Sequence, residues 1–200
     1  PIIEQIDSKS KNTQAIILSP TRELAVQIAK NIEEFSKYCD GVNVLAVYGG
    51  SSIEDQIRKI KKGIQIIVGT PGRTVDLINR RVLDLNAIKW LVLDEADEML
   101  NMGFKDDLDI ILGATPKSKQ TLLFSATFPK EVEEIARHYM TKPIEITSGE
   151  KNKSSDQVSH QYYVVSERNR YAALRRIADV NPDIYSIVFC RTRRETQEVA

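Results

Sequence analysis

The chain has 200 residues, 42% hydrophobic and 28% charged, a balance typical of globular protein and far from the disordered and fibrous classes. Lys plus Arg and Asp plus Glu are both 28, so no overall positive field draws in nucleic acid, and any such site must be local. No apolar run approaches the ~20 residues that a membrane span needs, and the opening residues lack a signal-peptide pattern. The chain therefore reads as soluble and cytoplasmic, with no membrane partner. Cys39 and Cys190 stand far apart without Cys or His companions at ligand spacing, which suits reduced, structural thiols. His138 and His160 are equally solitary and are assigned no chemistry.

Short apolar runs alternate with longer amphipathic ones along the first three quarters of the chain. Strands are expected at 15–18, 42–48, 64–68, 90–93, 121–124 and 144–147, and helices at 23–38, 53–62, 74–79 and 131–140. The runs Ile64-Gln65-Ile66-Ile67-Val68 and Trp90-Leu91-Val92-Leu93 are nearly continuous in apolar residues, as strands covered on both faces must be. The alternation predicts an α/β fold: a parallel sheet with helices on both faces. Residues 148–157 are polar with no apolar period and read as a linker between a first domain, 1–147, and the beginning of a second, 158–200. In the second, strands are expected at 160–165 and 185–190, with helices at 167–180 and from about Thr192. That is less than a lone core usually needs.

The chemistry is expected at strand exits, because ligands of open α/β sheets bind at the carboxyl ends of the strands. After Trp90-Leu91-Val92-Leu93 come Asp94-Glu95-Ala96-Asp97. A carboxylate at Asp94 can hold Mg²⁺ through its waters, and Glu95 can orient or deprotonate a water attacking a γ-phosphate. Acidic residues also favour helix starts, so the pair alone leaves both readings open. Ser125-Ala126-Thr127 follows the strand at 121–124 and could reach Asp97 or Glu95 if the two strands are neighbours; before Phe128-Pro129 it also reads as a helix start.

Two further exits, Ser19-Pro20 and Thr70-Pro71, each place a cap residue before a Pro expected in the first helical turn. Helix N-termini present unpaired N–H groups that can face phosphates, and Arg22 and Arg73 add full charges. Gly49-Gly50, after 42–48, allows close backbone approach or forms an ordinary turn. Such a site would hold an RNA backbone without a broad basic face, and without sequence preference.

Pro20-Thr21-Arg22-Glu23-Leu24-Ala25, Gly49-Gly50, Thr70-Pro71-Gly72-Arg73, Asp94-Glu95-Ala96-Asp97 and Ser125-Ala126-Thr127 stand in the order and spacing of the DEAD-box RNA helicases, which this chain resembles. Ser186-Ile187-Val188-Phe189-Cys190-Arg191-Thr192 resembles the family's motif at the start of its second RecA-like domain. The resemblance implies ATP and Mg²⁺ as cofactors, Asp94 at the metal, and Glu95 at the hydrolytic water. Ser125 and Thr127, with Asp97 as their partner, would couple ATP to RNA. It also implies RNA-backbone contacts at Pro20, Thr21, Arg22, Gly49, Gly50, Thr70, Pro71, Gly72 and Arg73, with Arg191 and Thr192 contributing from the second domain.

A phosphate-binding loop needs Gly-x-x-x-x-Gly-Lys-Ser/Thr, and no Gly here is followed by Lys. Pro1-Ile2-Ile3-Glu4-Gln5-Ile6 resembles the end of the helix that follows this loop in the family. The expectation is a helicase piece lacking that loop and the later second-domain motifs, inactive and prone to self-associate by itself. The activity implied is ATP-dependent separation of short RNA duplexes. A catalytically inactive RNA-binding or scaffold module, and a DNA-acting helicase or translocase, are the alternatives.

Overall fold

Side chains along a strand point alternately to its two faces. In the central strand, β1 (Ala15–Leu18), Ala15 and Ile17 therefore serve one core while Ile16 and Leu18 serve another. The computed structural model describes residues 1–148 and 158–200. Its chain divides into two units, Pro1–Lys153 and Ser154–Ala200. Among the described residues no helix is long and apolar enough to cross a membrane.

The first unit is built on one parallel five-stranded sheet in the order β2-β3-β1-β4-β5, where β2 is Val44–Val47, β3 Ile66–Gly69, β4 Trp90–Leu93 and β5 Gln120–Leu123. Ala15, Ile17, Ile66, Val68 and Val92 face α1 (Arg22–Phe35) and pack with its Ala25 and Ala29. These alanines are four residues apart on one helical face, so the helix can lie close to the sheet. Ile16, Leu18, Leu45, Val47, Ile67, Leu91 and Leu93 form the other core. It is closed by α3 (Pro71–Asn79), α4 (Ala96–Asn101), α5 (Lys105–Ala114) and α6 (Lys130–Tyr139). Against it α2 (Ile53–Lys62) lays Ile53, Ile57 and Ile60.

Strand β1 sends its helix to one face, while its neighbours β3 and β4 send α3 and α4 to the other. The chain thus changes sides at β1, the kind of switch point where a crevice opens at the carboxyl ends of the strands.

The strands at 15–18 and 90–93 and the helix at 53–62 form over the residues expected. Residues 144–147 form no strand, contrary to expectation: Ile144 and Ile146 are 88% and 91% exposed. A strand needs backbone partners, and no described neighbour supplies them. Helix α4 begins at the helix start that the carboxylates Asp94 to Asp97 also allowed, while α5 lies outside the helices expected.

In the second unit a 3-10 turn, Glu167–Asn169, leads into α7 (Arg170–Val180), and α8 spans Arg193–Val199. The strands expected at 160–165 and 185–190 do not form among the described residues. Tyr162, Val164, Ile187 and Phe189 are exposed, so these apolar runs have neither ladder nor core. The stretch at 149–157, most of the expected linker, lies outside the described residues.

Candidate functional site

Four of the five exits leave the sheet level with one another. Each first residue beyond its strand still continues the ladder: Ser19 N–H donates to Gly69 O at 3.0 Å, Thr70 to Val47 O at 3.0 Å, Asp94 to Leu18 O at 2.9 Å and Phe124 to Leu93 O at 2.8 Å. The strand order then arranges the chemical segments in a row. Gly49-Gly50 follows β2, Thr70 to Arg73 follow β3, and Thr21-Arg22 follow β1. Beyond them come Asp94 to Asp97 after β4 and Ser125 to Thr127 after β5.

At the β1 exit the cap is Thr21, whose hydroxyl accepts from Leu24 N–H at 3.2 Å. Pro20 is therefore buried ahead of the cap and not in the first helical turn, a correction to the pattern read from Ser19-Pro20. The Ser19 hydroxyl instead turns to Thr21 O at 3.5 Å. At β3 the expected pattern does form: Thr70 is the N-cap and Pro71 the first helical residue. Arg22 is exposed, with its guanidinium 5.2 Å from the centre of the Tyr48 ring, within cation–π range.

Gly50 has φ +81, which other residues adopt only at a cost, whereas a Cβ at Gly49 would meet nothing within 4 Å. Arg73 reaches across from α3. Its Nη1 donates to Gln56 Oε1 at 3.0 Å and to Ser51 O at 3.3 Å, and its Nη2 donates to Ser51 O at 3.3 Å. Gln56 in turn donates from Nε2 to Tyr48 O at 3.3 Å and Ser51 Oγ at 2.6 Å. Tyr48, Ser51 and Gln56 were not singled out in the sequence. A polar residue on the apolar stripe of α2 was the available signal.

At the other end of the row β4 gives way to α4 within two residues. Asp94 Oδ1 accepts from Glu95 N–H at 3.1 Å. Glu95 is exposed and caps α4 in the left-handed region, φ 52 and ψ 52. Asp97 is only 4% exposed, and its Oδ2 accepts from Thr127 N–H at 2.8 Å and from the Thr127 hydroxyl at 2.6 Å. Ser125 Oγ accepts from Asp97 N–H at 3.2 Å and donates to Thr127 O at 2.6 Å. Burial pushes the Asp97 carboxyl upward, but the hydrogen bonds from the Thr127 hydroxyl and backbone N–H lead the contributions that outweigh it and hold the group below its ordinary value.

Arg191 and Thr192 lie in the second unit. Thr192 caps α8 by accepting from Glu195 N–H at 3.1 Å. The Arg191 Nη2 donates to Glu167 Oε1 at 2.8 Å, an exposed pair that raises the Arg and lowers the Glu from their ordinary values.

A parallel sheet with helices on both faces and its polar segments along the carboxyl edge is the architecture of a RecA-like α/β domain. A family model described as DEAD/DEAH box helicase matches residues 1–135, and the chain belongs to that family. It is similar to the ATP-dependent RNA helicase CshA of Listeria monocytogenes, 48% identical over 200 residues that cover all of this chain and 38% of the relative. The ATP-dependent RNA helicase DeaD of Escherichia coli is 42% identical, with all of this chain and 32% of the relative covered. A DEAD box protein from the hyperthermophile Methanococcus jannaschii has a crystal structure that matches with a TM-score of 0.68 and 44% identity, covering all of this chain and 53% of that one. The chain thus spans about a third of the length of the curated relatives.

Proposed function

We propose that this chain is part of a cytoplasmic ATP-dependent RNA helicase that grips the RNA backbone and locally separates short duplexes while hydrolysing ATP. Both curated relatives described above carry the name ATP-dependent RNA helicase, and nothing in the fold favours a scaffold or a DNA-acting enzyme. The domain boundaries that go with this reading are 1–147, 148–157 and 158–200.

The observation that carries it is the tie between β5 and α4. Ser125 and Thr127 both engage Asp97, two residues from Glu95 at the start of the same helix. A displacement of the β5 exit is therefore felt at Glu95. In the proposed reaction Glu95 orients the attacking water and accepts its proton as the oxygen bonds to the γ-phosphorus and the bridge to the β-phosphate breaks. Asp97, Ser125 and Thr127 position Glu95 and link it to the RNA half of the edge.

Asp94 and Glu95 form an open donor pair; among the described residues no group of three or more His, Cys, Asp or Glu is arranged to hold a metal. That suits Mg²⁺, which takes one or two carboxylates and completes its shell with waters and substrate phosphates. When bound there through Asp94, it would neutralise charge on the phosphate oxygens.

RNA would lie along the β2, β3 and β1 exits, on Pro20, Thr21, Arg22, Gly49, Gly50 and Thr70 to Arg73. Arg191 and Thr192 would add contacts from the second unit. Backbone N–H groups, hydroxyls and Arg read phosphate and sugar, so binding is independent of sequence.

In the intact protein, Glu95→Gln should lower RNA-stimulated ATP hydrolysis by roughly 10²- to 10⁴-fold, the usual contribution of a general base. A rate within about twofold of wild type would remove Glu95 from the chemistry.

A further inference from the structure

Helix α2 has the sequence IEDQIRKIKK, and Gln56 is its one buried residue, at 5% exposure. An apolar side chain there would add burial at no polar cost, whereas a buried amide destabilises the fold unless its donors and acceptor find partners. All of Gln56's observed partners belong to the β2 exit and to Arg73. Its amide donates to Tyr48 O, before Gly49-Gly50, and to Ser51 Oγ, after it. Its carbonyl oxygen accepts from Arg73, which also holds Ser51 O. Ser51 Oγ donates back to Tyr48 O at 3.1 Å, closing the turn.

We infer that Gln56 is a positioning residue: it clamps the Gly49-Gly50 turn and Arg73 in one arrangement and thereby sets the grip on the RNA backbone. The grip rests on the RNA-binding reading above; the clamp does not. An amide has a donor end for the turn and an acceptor end for the guanidinium. Glu would set a carboxylate against Tyr48 O, and Leu would release all three tethers. The turn residues between the tethers, Gly49 and Gly50, are exposed, so the clamp acts beneath the contact surface without touching the ligand.

The test is Gln56→Leu in the intact protein, with Ser51→Ala as a milder second variant that removes one tether from the surface side. Backbone NMR order parameters for Gly49, Gly50 and Ser51 should fall from the rigid range of about 0.85 toward about 0.6. Affinity for single-stranded RNA should weaken roughly tenfold in Gln56→Leu and less in Ser51→Ala. The slope of affinity against salt should stay as in wild type, because no phosphate contact is removed. Unchanged order parameters in both variants would overturn the clamp. A loosened turn with unchanged affinity, or a flattened salt slope, would overturn the positioning role. If wild-type protein itself fails to bind single-stranded RNA, the RNA reading falls and the grip with it, while the order parameters still decide the clamp.

Discussion

Glu95 occupies a conformation that non-Gly residues adopt at a cost on the order of 1–3 kcal/mol, with φ 52 and ψ 52. The neighbours enforce it: Asp94 N–H is held by β1 and Ala96 N–H by Phe124 O at 3.0 Å, so the turn from strand to helix has to be made at Glu95. The result is an exposed carboxylate at the start of a helix whose second residue, within the same turn, is the buried Asp97. The hydrogen bonds on Asp97 yield a pH prediction. Its folded-state carboxyl lies below the ordinary value, so its contribution to stability is fully present above about pH 4 and is lost as pH falls through the lower, folded-state value. Asp97→Asn should therefore cost about 1–2 kcal/mol in urea unfolding at pH 7, with the difference shrinking as pH falls below the ordinary carboxylate value of about 4. A pH-independent difference would contradict the assignment. The carboxylates and hydroxyls were visible in the sequence, and so was their possible meeting. That meeting depended on β4 and β5 being neighbours, which no local pattern states, and the left-handed Glu95 left no signal because Glu has no preference for that region.

Gly69, the last residue of β3, shows how tightly the exits are built. A Cβ there would stand 2.6 Å from Thr74 Oγ1 and 2.7 Å from Val47 Cγ2. Gly69→Ala should push β3 away from β2 and α3 at a cost of about 1–3 kcal/mol, read as a lower denaturation midpoint. An unshifted midpoint would show that the junction has slack. The buried central elements were the legible ones: β1 and β4 because they are short continuous apolar runs, α2 because Ile53, Ile57 and Ile60 recur at helical spacing. Helix α5 was hidden because Phe104 gives it no side-chain cap and Gly113 interrupts its last turn. The runs at 144–147, 160–165 and 185–190 have strand composition but no strand. Composition records a preference for a sheet, and only a neighbouring strand can satisfy it.

At the scale of the molecule the strand order does the sorting. Gly, Thr and Arg segments from β2, β3 and β1 occupy one half of a single edge, and the carboxylate and hydroxyl segments of β4 and β5 occupy the other. In sequence they are interleaved, with β2 and β3 between β1 and β4, so only the crossovers reveal the separation. The zero net charge is consistent with it: positive and negative groups are placed at opposite ends of the edge and are not segregated in the chain. We propose that RNA uses the β2–β3–β1 half. Photocrosslinking of single-stranded RNA to the intact protein, with crosslinked residues mapped by mass spectrometry, tests this. Within the first unit, crosslinks should fall on Thr21-Arg22, Gly49-Gly50 and Thr70 to Arg73. Crosslinks concentrated on Asp94 to Asp97 and Ser125 to Thr127 would contradict the account.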